Sequence, residues 1–155
     1  MEGRAAVILL VEDDKAHAKL IMRTLEEAKI INKIYWVKDG LEALDFLYNR
    51  GKYSDKKRFP KPDLILLDLK LPKLNGHEVL KEVKSSERLK IIPVVVLTTS
   101  EDEADIIRAY LNYTNSYLVK PIQPKKFREM VEHLGFYWII WNKLPRKNEK
   151  ENFAR

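Results

Sequence analysis

The stretch at residues 64–72, LILLDLKLP, decides the fold. Residues 64–67 are apolar without a break, and the run ends on a carboxylate, Asp68. A strand with one wet face alternates apolar and polar residues, whereas a strand covered on both faces reads as a continuous apolar run. Two more runs of the same kind lie at 6–11 (AVILLV) and 93–97 (PVVVL), with shorter ones at 34–37 and 116–119. Between them apolar residues recur at three- and four-residue steps, the period of an amphipathic helix. The first such segment carries Ala16, Leu20, Met22, Leu25 and Ala28, the second Leu41, Leu44, Phe46 and Leu47, and the third Val79, Leu80 and Val83. Ile106, Ile107, Tyr110 and Leu111 mark a fourth, and Phe127, Met130, Val131, Leu134, Trp138 and Trp141 a long fifth. Five strands alternating with five helices give an α/β fold, a doubly wound parallel sheet with right-handed crossovers. Ligands of such sheets bind beyond the carboxyl ends of the strands.

Four strand ends carry chemistry. The first run stops at Glu12-Asp13-Asp14, the third at Asp68, the fourth at Thr98-Thr99-Ser100 and the fifth at Lys120-Pro121. Each has an ordinary reading alone: Asp13 or Asp14 caps a helix, Thr98 ends a strand, and Lys120 is solvated. A parallel sheet, however, brings all of them to one edge. Carboxylates held close repel unless a proton or a cation sits among them. An all-oxygen donor set suits a hard ion such as Mg2+. With a hydroxyl and an ammonium alongside, the expected chemistry is attack of a carboxylate on phosphorus to give an aspartyl phosphate.

The segments ILLVEDD, DLILLDLKLPKLNG, IPVVVLTTS and SYLVKPI, in that order, resemble the signature segments of response-regulator receiver domains, over roughly residues 5–140. The resemblance implies a flavodoxin-like five-stranded sheet of order 2-1-3-4-5 with five helices. It makes Asp68 the phosphoacceptor and assigns the Mg2+ site to Glu12, Asp13, Asp68 and the backbone carbonyl of Lys70. Thr98 becomes the switch hydroxyl, Lys120 the phosphoryl-binding cation, and Tyr117 the aromatic whose rotamer follows activation. Lys120-Pro121 is expected to be a cis peptide, which only X–Pro bonds reach cheaply. The implied donor is a sensor histidine kinase or a phosphorelay histidine protein, and the implied output is a reshaped face of fourth helix, fifth strand and fifth helix. The chain then is no enzyme in the usual sense; it catalyses transfer to its own Asp68, with a share in its own dephosphorylation.

Glu12 stands where many receivers carry Asp, and its extra methylene suits contact with the ion through water. Lys70 and Ser100 occupy positions that tune dephosphorylation in the family. For Lys70 two readings stand side by side: a cationic chain that shields the phosphoryl group from water, or a side chain turned to solvent. The link at 48–62, YNRGKYSDKKRFPKP, holds six basic residues against Asp55 and is long for the family. It is expected to be a solvated cationic loop at the amino ends of the strands. Together with LTTS and an aromatic C-terminal helix, it resembles the stand-alone receivers that partner bacterial phytochrome kinases.

LGFYWIIW, at 134–141, is apolar nearly all round its helix, which implies a second buried face. A homodimer through this helix and the fourth helix–fifth strand–fifth helix face is expected. The receiver domain is placed at 5–144 and a charged tail at 145–155, leaving no room for a DNA-binding or catalytic output domain. His17, His77 and His133 show no metal-ligand spacing and are expected at the surface.

The totals exclude several classes. With no cysteine among 155 residues there is no disulfide framework or thiolate site. No stretch approaches the ~20 apolar residues that cross a bilayer, and the N-terminus lacks the pattern of a signal peptide, so a cytoplasmic protein is expected. A net charge of +6 permits contact with nucleic acid without requiring it, and none is expected. Lys70 stands where aspartyl-phosphate phosphatases carry a second Asp. Glu-Asp-Asp-Lys replaces the Gly-rich loop a nucleotide fold needs after its first strand. A flavodoxin-like cofactor binder shares the fold but not the acids. The alternative that remains is a scaffold that keeps the receiver fold without phosphorylation.

Overall fold

A computed structural model of the chain describes residues 6–28, 32–99 and 116–134. Strand β1 (Ala6–Val11) is followed by α1 (Lys15–Glu27), β2 (Asn32–Val37) and α2 (Gly40–Leu47). A short 3-10 turn at Gly51–Tyr53 leads to β3 (Leu64–Asp68), α3 (Gly76–Ser85), β4 (Val94–Thr98), β5 (Ser116–Val119) and α4 (Pro124–His133). The five strands form one parallel sheet in the order β2-β1-β3-β4-β5. Four α-helices stand among the described residues where five were expected. The helix expected around Ile106–Leu111 lies outside them, as does the apolar segment at 135–141.

Two faces of the sheet make two cores, and strand periodicity assigns the residues. Ile8, Leu10, Leu64, Leu66, Val95 and Leu97 point to the side covered by α1 and α4, where they meet Ile21, Leu25, Phe127 and Val131. Their neighbours in sequence, Leu9, Val11, Ile65, Leu67, Val94 and Val96, point to the side covered by α2 and α3 and meet Phe46, Val79, Leu80 and Val83. Alternate side chains of a strand leave opposite faces, so a run apolar at every position is what a sheet wrapped on both sides requires. All five residues of β3 are buried; each such Leu or Ile contributes about 1.5–3 kcal/mol.

The expected stripe of α1 meets the observed one at Leu25 and Ala28 and departs from it at Ala16 and Leu20. Leu20 is 55% exposed, and the buried face is Ala18, Ile21, Thr24, Leu25 and Ala28. Thr24 belongs to it because its hydroxyl donates to the carbonyls of Leu20 and Ile122, each at 3.0 Å, so a polar side chain occupies a core position at little cost.

The cationic link is solvated along most of its length, as expected, and its aromatics also fold it onto the core. Tyr53 is buried and, with Phe59, packs edge-on against Phe46, while Tyr35 lies against Phe46 and Phe59. The amide of Asn49, whose φ is 54°, donates to the carbonyls of Tyr53 and Phe59 and closes the loop. The basic side chains remain outside, with Lys52 over the Tyr53 ring and Arg58 over Phe59. Among the described residues no helix is long and apolar enough to cross a membrane.

Candidate functional site

Parallel register brings the charged residues together. Val11 pairs with Leu67, and Asp68 with Leu97, so β1 and β3 end side by side. Thr98 pairs with Val119, which sets Lys120 one step beyond the sheet at the same edge. Glu12 continues β1: its N–H donates to the Val37 carbonyl at 3.1 Å, and its own carbonyl accepts from Trp36 Nε1 at 2.7 Å. The acid is therefore held by backbone bonds on both sides.

Glu12 is fully buried and Asp68 is 5% exposed, while Asp13 faces solvent. One carboxylate oxygen from each lies within 4.8 Å of the others. The Lys120 ammonium sits against this cluster, 2.6 Å from Glu12 Oε1 and 3.2 Å from Asp68 Oδ2. Asp68 Oδ1 accepts the Lys70 N–H at 3.0 Å, and Glu12 Oε2 accepts the Asp14 N–H at 3.1 Å. Burial, with the Asp68 charge adding to it, pushes the Glu12 carboxyl above its ordinary range despite its hydrogen bond from Lys120. Burial works against the Lys120 ammonium, but the Glu12 and Asp68 carboxylates outweigh it and raise its pKa. Three carboxylates against one ammonium leave the edge with an excess of about two negative charges. Donors of this chemistry fit a divalent cation held by Glu12, Asp13 and Asp68.

The loop after β3 is fixed by two glycines. A Cβ on Gly76 would lie 2.3 Å from the Asp68 carbonyl oxygen, and one on Gly40 would lie 2.0 Å from that of Leu74. Gly76 N–H bonds the Leu69 carbonyl at 3.0 Å, and Asn75 and Glu78 exchange side-chain and backbone bonds at the start of α3. The helix can therefore begin directly against the backbone at the end of β3.

Of the residues singled out from sequence, Glu12, Asp13, Asp68 and Lys120 meet at one edge. Lys120–Pro121 is cis. Tyr117 is half-buried in β5, opposite Val96, and packs against the α2–α3 core. The Lys70 side chain is exposed, and its N–H is the group bonded to Asp68. Thr98 ends β4, but its side chain, like all of Ser100, lies outside the described residues. His17 is at the surface, as expected, but also reaches the site. Its ring is 44% exposed, yet Nδ1 stands 3.2 Å from Lys120 Nζ and 3.9 Å from Glu12 Oε2. Gly40, Gly76 and His17 were missed; NG immediately before a helical pattern was the legible signal for Gly76, and His17 had none.

Comparison with known proteins gives the same picture. A family model described as the response regulator receiver domain matches residues 8–132. The chain is 49% identical over 139 residues to the probable methanogenesis regulatory protein FilR2 of Methanothrix harundinacea, covering 90% of this chain and 87% of that protein. It is 45% identical over 139 residues to response regulator Rcp1 of Synechocystis sp., covering 90% and 92%. A crystal structure of the Mn(2+)-bound form of Rcp1 aligns with a TM-score of 0.68 at 44% identity, over 91% of this chain and 99% of that one. The bacteriophytochrome response regulator RtBRR aligns with a TM-score of 0.82 at 41% identity, over 98% of this chain and 90% of that one.

Proposed function

The chain belongs to the response regulator receiver family, and on that premise we propose that it accepts a phosphoryl group on Asp68 from a sensor histidine kinase or phosphorelay histidine protein. The single observation that carries this reading is the meeting of Glu12, Asp13, Asp68 and Lys120 at one sheet edge, with an ammonium 3.2 Å from the proposed nucleophile. Likeness to RtBRR and Rcp1 supports a kinase of the phytochrome type as the donor. The reaction joins an Asp68 carboxylate oxygen to phosphorus as the phosphohistidine P–N bond breaks, and the departing imidazole nitrogen keeps the bonding pair. Asp68 stands on a buried strand whose neighbours leave it little freedom, so the nucleophile is oriented before the donor arrives. Its N–H bond from Lys70 fixes one oxygen, and Lys120 contacts the other and balances charge that grows on the phosphoryl oxygens.

Glu12, Asp13 and Asp68 would hold a divalent ion, Mg2+ in this proposal, with the Lys70 carbonyl as a further donor. Bound there, it would neutralise phosphoryl oxygens that otherwise meet three carboxylates. The charge excess at the edge and the Mn(2+)-bound form of Rcp1 support a divalent site. Thr98 then turns toward the phosphoryl group and Tyr117 turns inward. The surface made by the segment after β4, β5 and α4 changes between two populations, and a partner reads it. A homodimer through that surface, action in the cytoplasm, and the residues after α4 as part of the contact complete the proposal.

Intact-mass analysis after incubation with acetyl phosphate tests it. One phosphoryl adduct that requires Mg2+ and is absent from Asp68→Ala is the expected result. An adduct that persists in Asp68→Ala moves the site elsewhere. Absence of both an adduct and measurable Mg2+ binding supports a scaffold that does not use phosphorylation.

A further inference from the structure

The Lys120 ammonium has three close polar neighbours, and two are carboxylates: Glu12 Oε1 at 2.6 Å and Asp68 Oδ2 at 3.2 Å. The third is His17 Nδ1, also at 3.2 Å. An ammonium has three N–H bonds and no lone pair, so these neighbours use all of its donors. A nitrogen that accepts from it must present a lone pair, which places the imidazole proton on Nε2. We propose that His17 is a positioning residue for Lys120 in phosphoryl transfer to Asp68. The inference rests on the reading of Asp68 as the phosphoacceptor.

Two features of the site support this role. The first is charge. Glu12, Asp13 and Asp68 already crowd the edge, and a carboxylate as third acceptor would add a fourth repelling charge. A neutral imidazole supplies the acceptor without it. The second is the way α1 is tied down. Asp14 caps the helix by accepting the His17 N–H at 3.0 Å, while its own N–H donates to Glu12 Oε2 at 3.1 Å. Glu12, Asp14, His17 and Lys120 thus close a ring of contacts that sets the imidazole from the acid below it. When Asp68 becomes an acyl phosphate, the ammonium must exchange its carboxylate contact for a phosphoryl oxygen. Glu12 and His17 keep it at that strand end while it does so.

The test compares wild type with His17→Ala and His17→Asn, because an asparagine amide oxygen reaches about where Nδ1 does and restores an acceptor. Two quantities are read with full-length protein: the rate of phosphorylation by acetyl phosphate at saturating Mg2+, and the exchange rate of the Lys120 ammonium protons by 15N NMR before phosphorylation. In His17→Ala, phosphorylation is expected to slow about tenfold, the worth of one hydrogen bond to a charged group, and the ammonium protons to exchange faster. His17→Asn is expected to recover most of both. An Ala variant with wild-type rate and wild-type ammonium exchange overturns the role, and so does equal slowing in Ala and Asn. If wild type itself takes no phosphoryl group and binds no Mg2+, it is the reading of Asp68 that fails. The ammonium spectrum then still decides the contact, and an unchanged spectrum in His17→Ala overturns it.

Discussion

Replacing Lys120 with methionine keeps most of the side-chain volume and removes the one cation that, among the described residues, touches both buried acids. At 2.6 Å and 3.2 Å, and with an effective dielectric of about 20, the two attractions lost are about 6 and 5 kcal/mol. Desolvation of the ammonium offsets much of that, and removing one partner of a buried ion pair costs about 3–5 kcal/mol at neutral pH. The pH dependence has a definite sign. A carboxyl whose folded pKa is raised binds its proton more tightly when folded. Its contribution is fully present below the ordinary value and lost as pH rises through the folded value. Glu12 is such a group already, and loss of Lys120 raises it further. Lys120→Met should therefore be far less stable than wild type at pH 7 and should close part of the gap at pH 5. Saturating Mg2+ should narrow the gap as well, by about 1.4 kcal/mol for each tenfold by which the variant, freed of the competing ammonium, binds the ion more tightly than wild type. Urea denaturation at both pH values, with and without Mg2+, measures all three effects. A loss below about 1 kcal/mol at pH 7, or a gap that does not change with pH, would refute the charge accounting of the site.

Two further substitutions probe the frame around the site. Gly76→Ala puts a methyl 2.3 Å from the Asp68 carbonyl oxygen and 2.4 Å from Leu69 Cα. Because both are backbone, the strand end or the helix must shift, at about 1–3 kcal/mol or more; denaturation should show this loss, together with slower phosphorylation by acetyl phosphate. Tyr53→Phe removes the hydroxyl that donates to Glu42 and should cost about 1 kcal/mol. Burial alone would raise the Glu42 carboxyl, but Tyr53, the Lys38 N–H and Lys52 hold it below its ordinary 4.5. A depressed carboxyl stabilises above its unfolded value and loses that contribution as pH falls through the folded one. The Tyr53→Phe variant should consequently lose less stability than wild type on titration from pH 6 to pH 3.

The sheet was legible because its signal is redundant. A strand buried on both faces is apolar at every position, so β1, β3 and β4 could be read without knowing the direction of any side chain. The helix stripes are less redundant. In α1, Leu20 attracted the reading while Thr24 went unnoticed, yet Thr24 is inside and Leu20 outside. A threonine earns a core place only through the carbonyls it meets, and one of those, Ile122, lies 98 residues away. In the link at 48–62 the solvated charges were legible, but the fold was not: Tyr53, Phe59 and Asn49 shape it, and sparse aromatics do not form a period. At the site, residues at strand ends were visible because register alone brings them together. His17 reaches the site from a helix, through a rotation about the helix axis that spacing could not supply. The expected fourth helix, the Thr98 side chain, Ser100 and the aromatic segment after α4 lie outside the described residues.

The arrangement explains why a change at Asp68 would be felt at the sheet's edge. Phosphorylation replaces a carboxylate of one negative charge with a group of about two, in a cluster already short of cations. Lys120 is the group that must answer, and it is covalently continuous with β5. That strand is the outermost on its side, only four residues long, with three positions half-buried and Val119 exposed. By contrast β1 and β3, which carry the acids, are clamped between neighbours and almost wholly buried. A force applied between Asp68 and Lys120 acts on both ends of the contact, and the less buried end gives way, because fewer packed side chains oppose its motion. On the proposed reading, Asp68 would stay in place while the edge strand and Tyr117 within it would shift. If Asp68 is phosphorylated as proposed, the imbalance of charge at the site and the light anchoring of β5 together would make the edge, rather than the centre of the sheet, the element that moves.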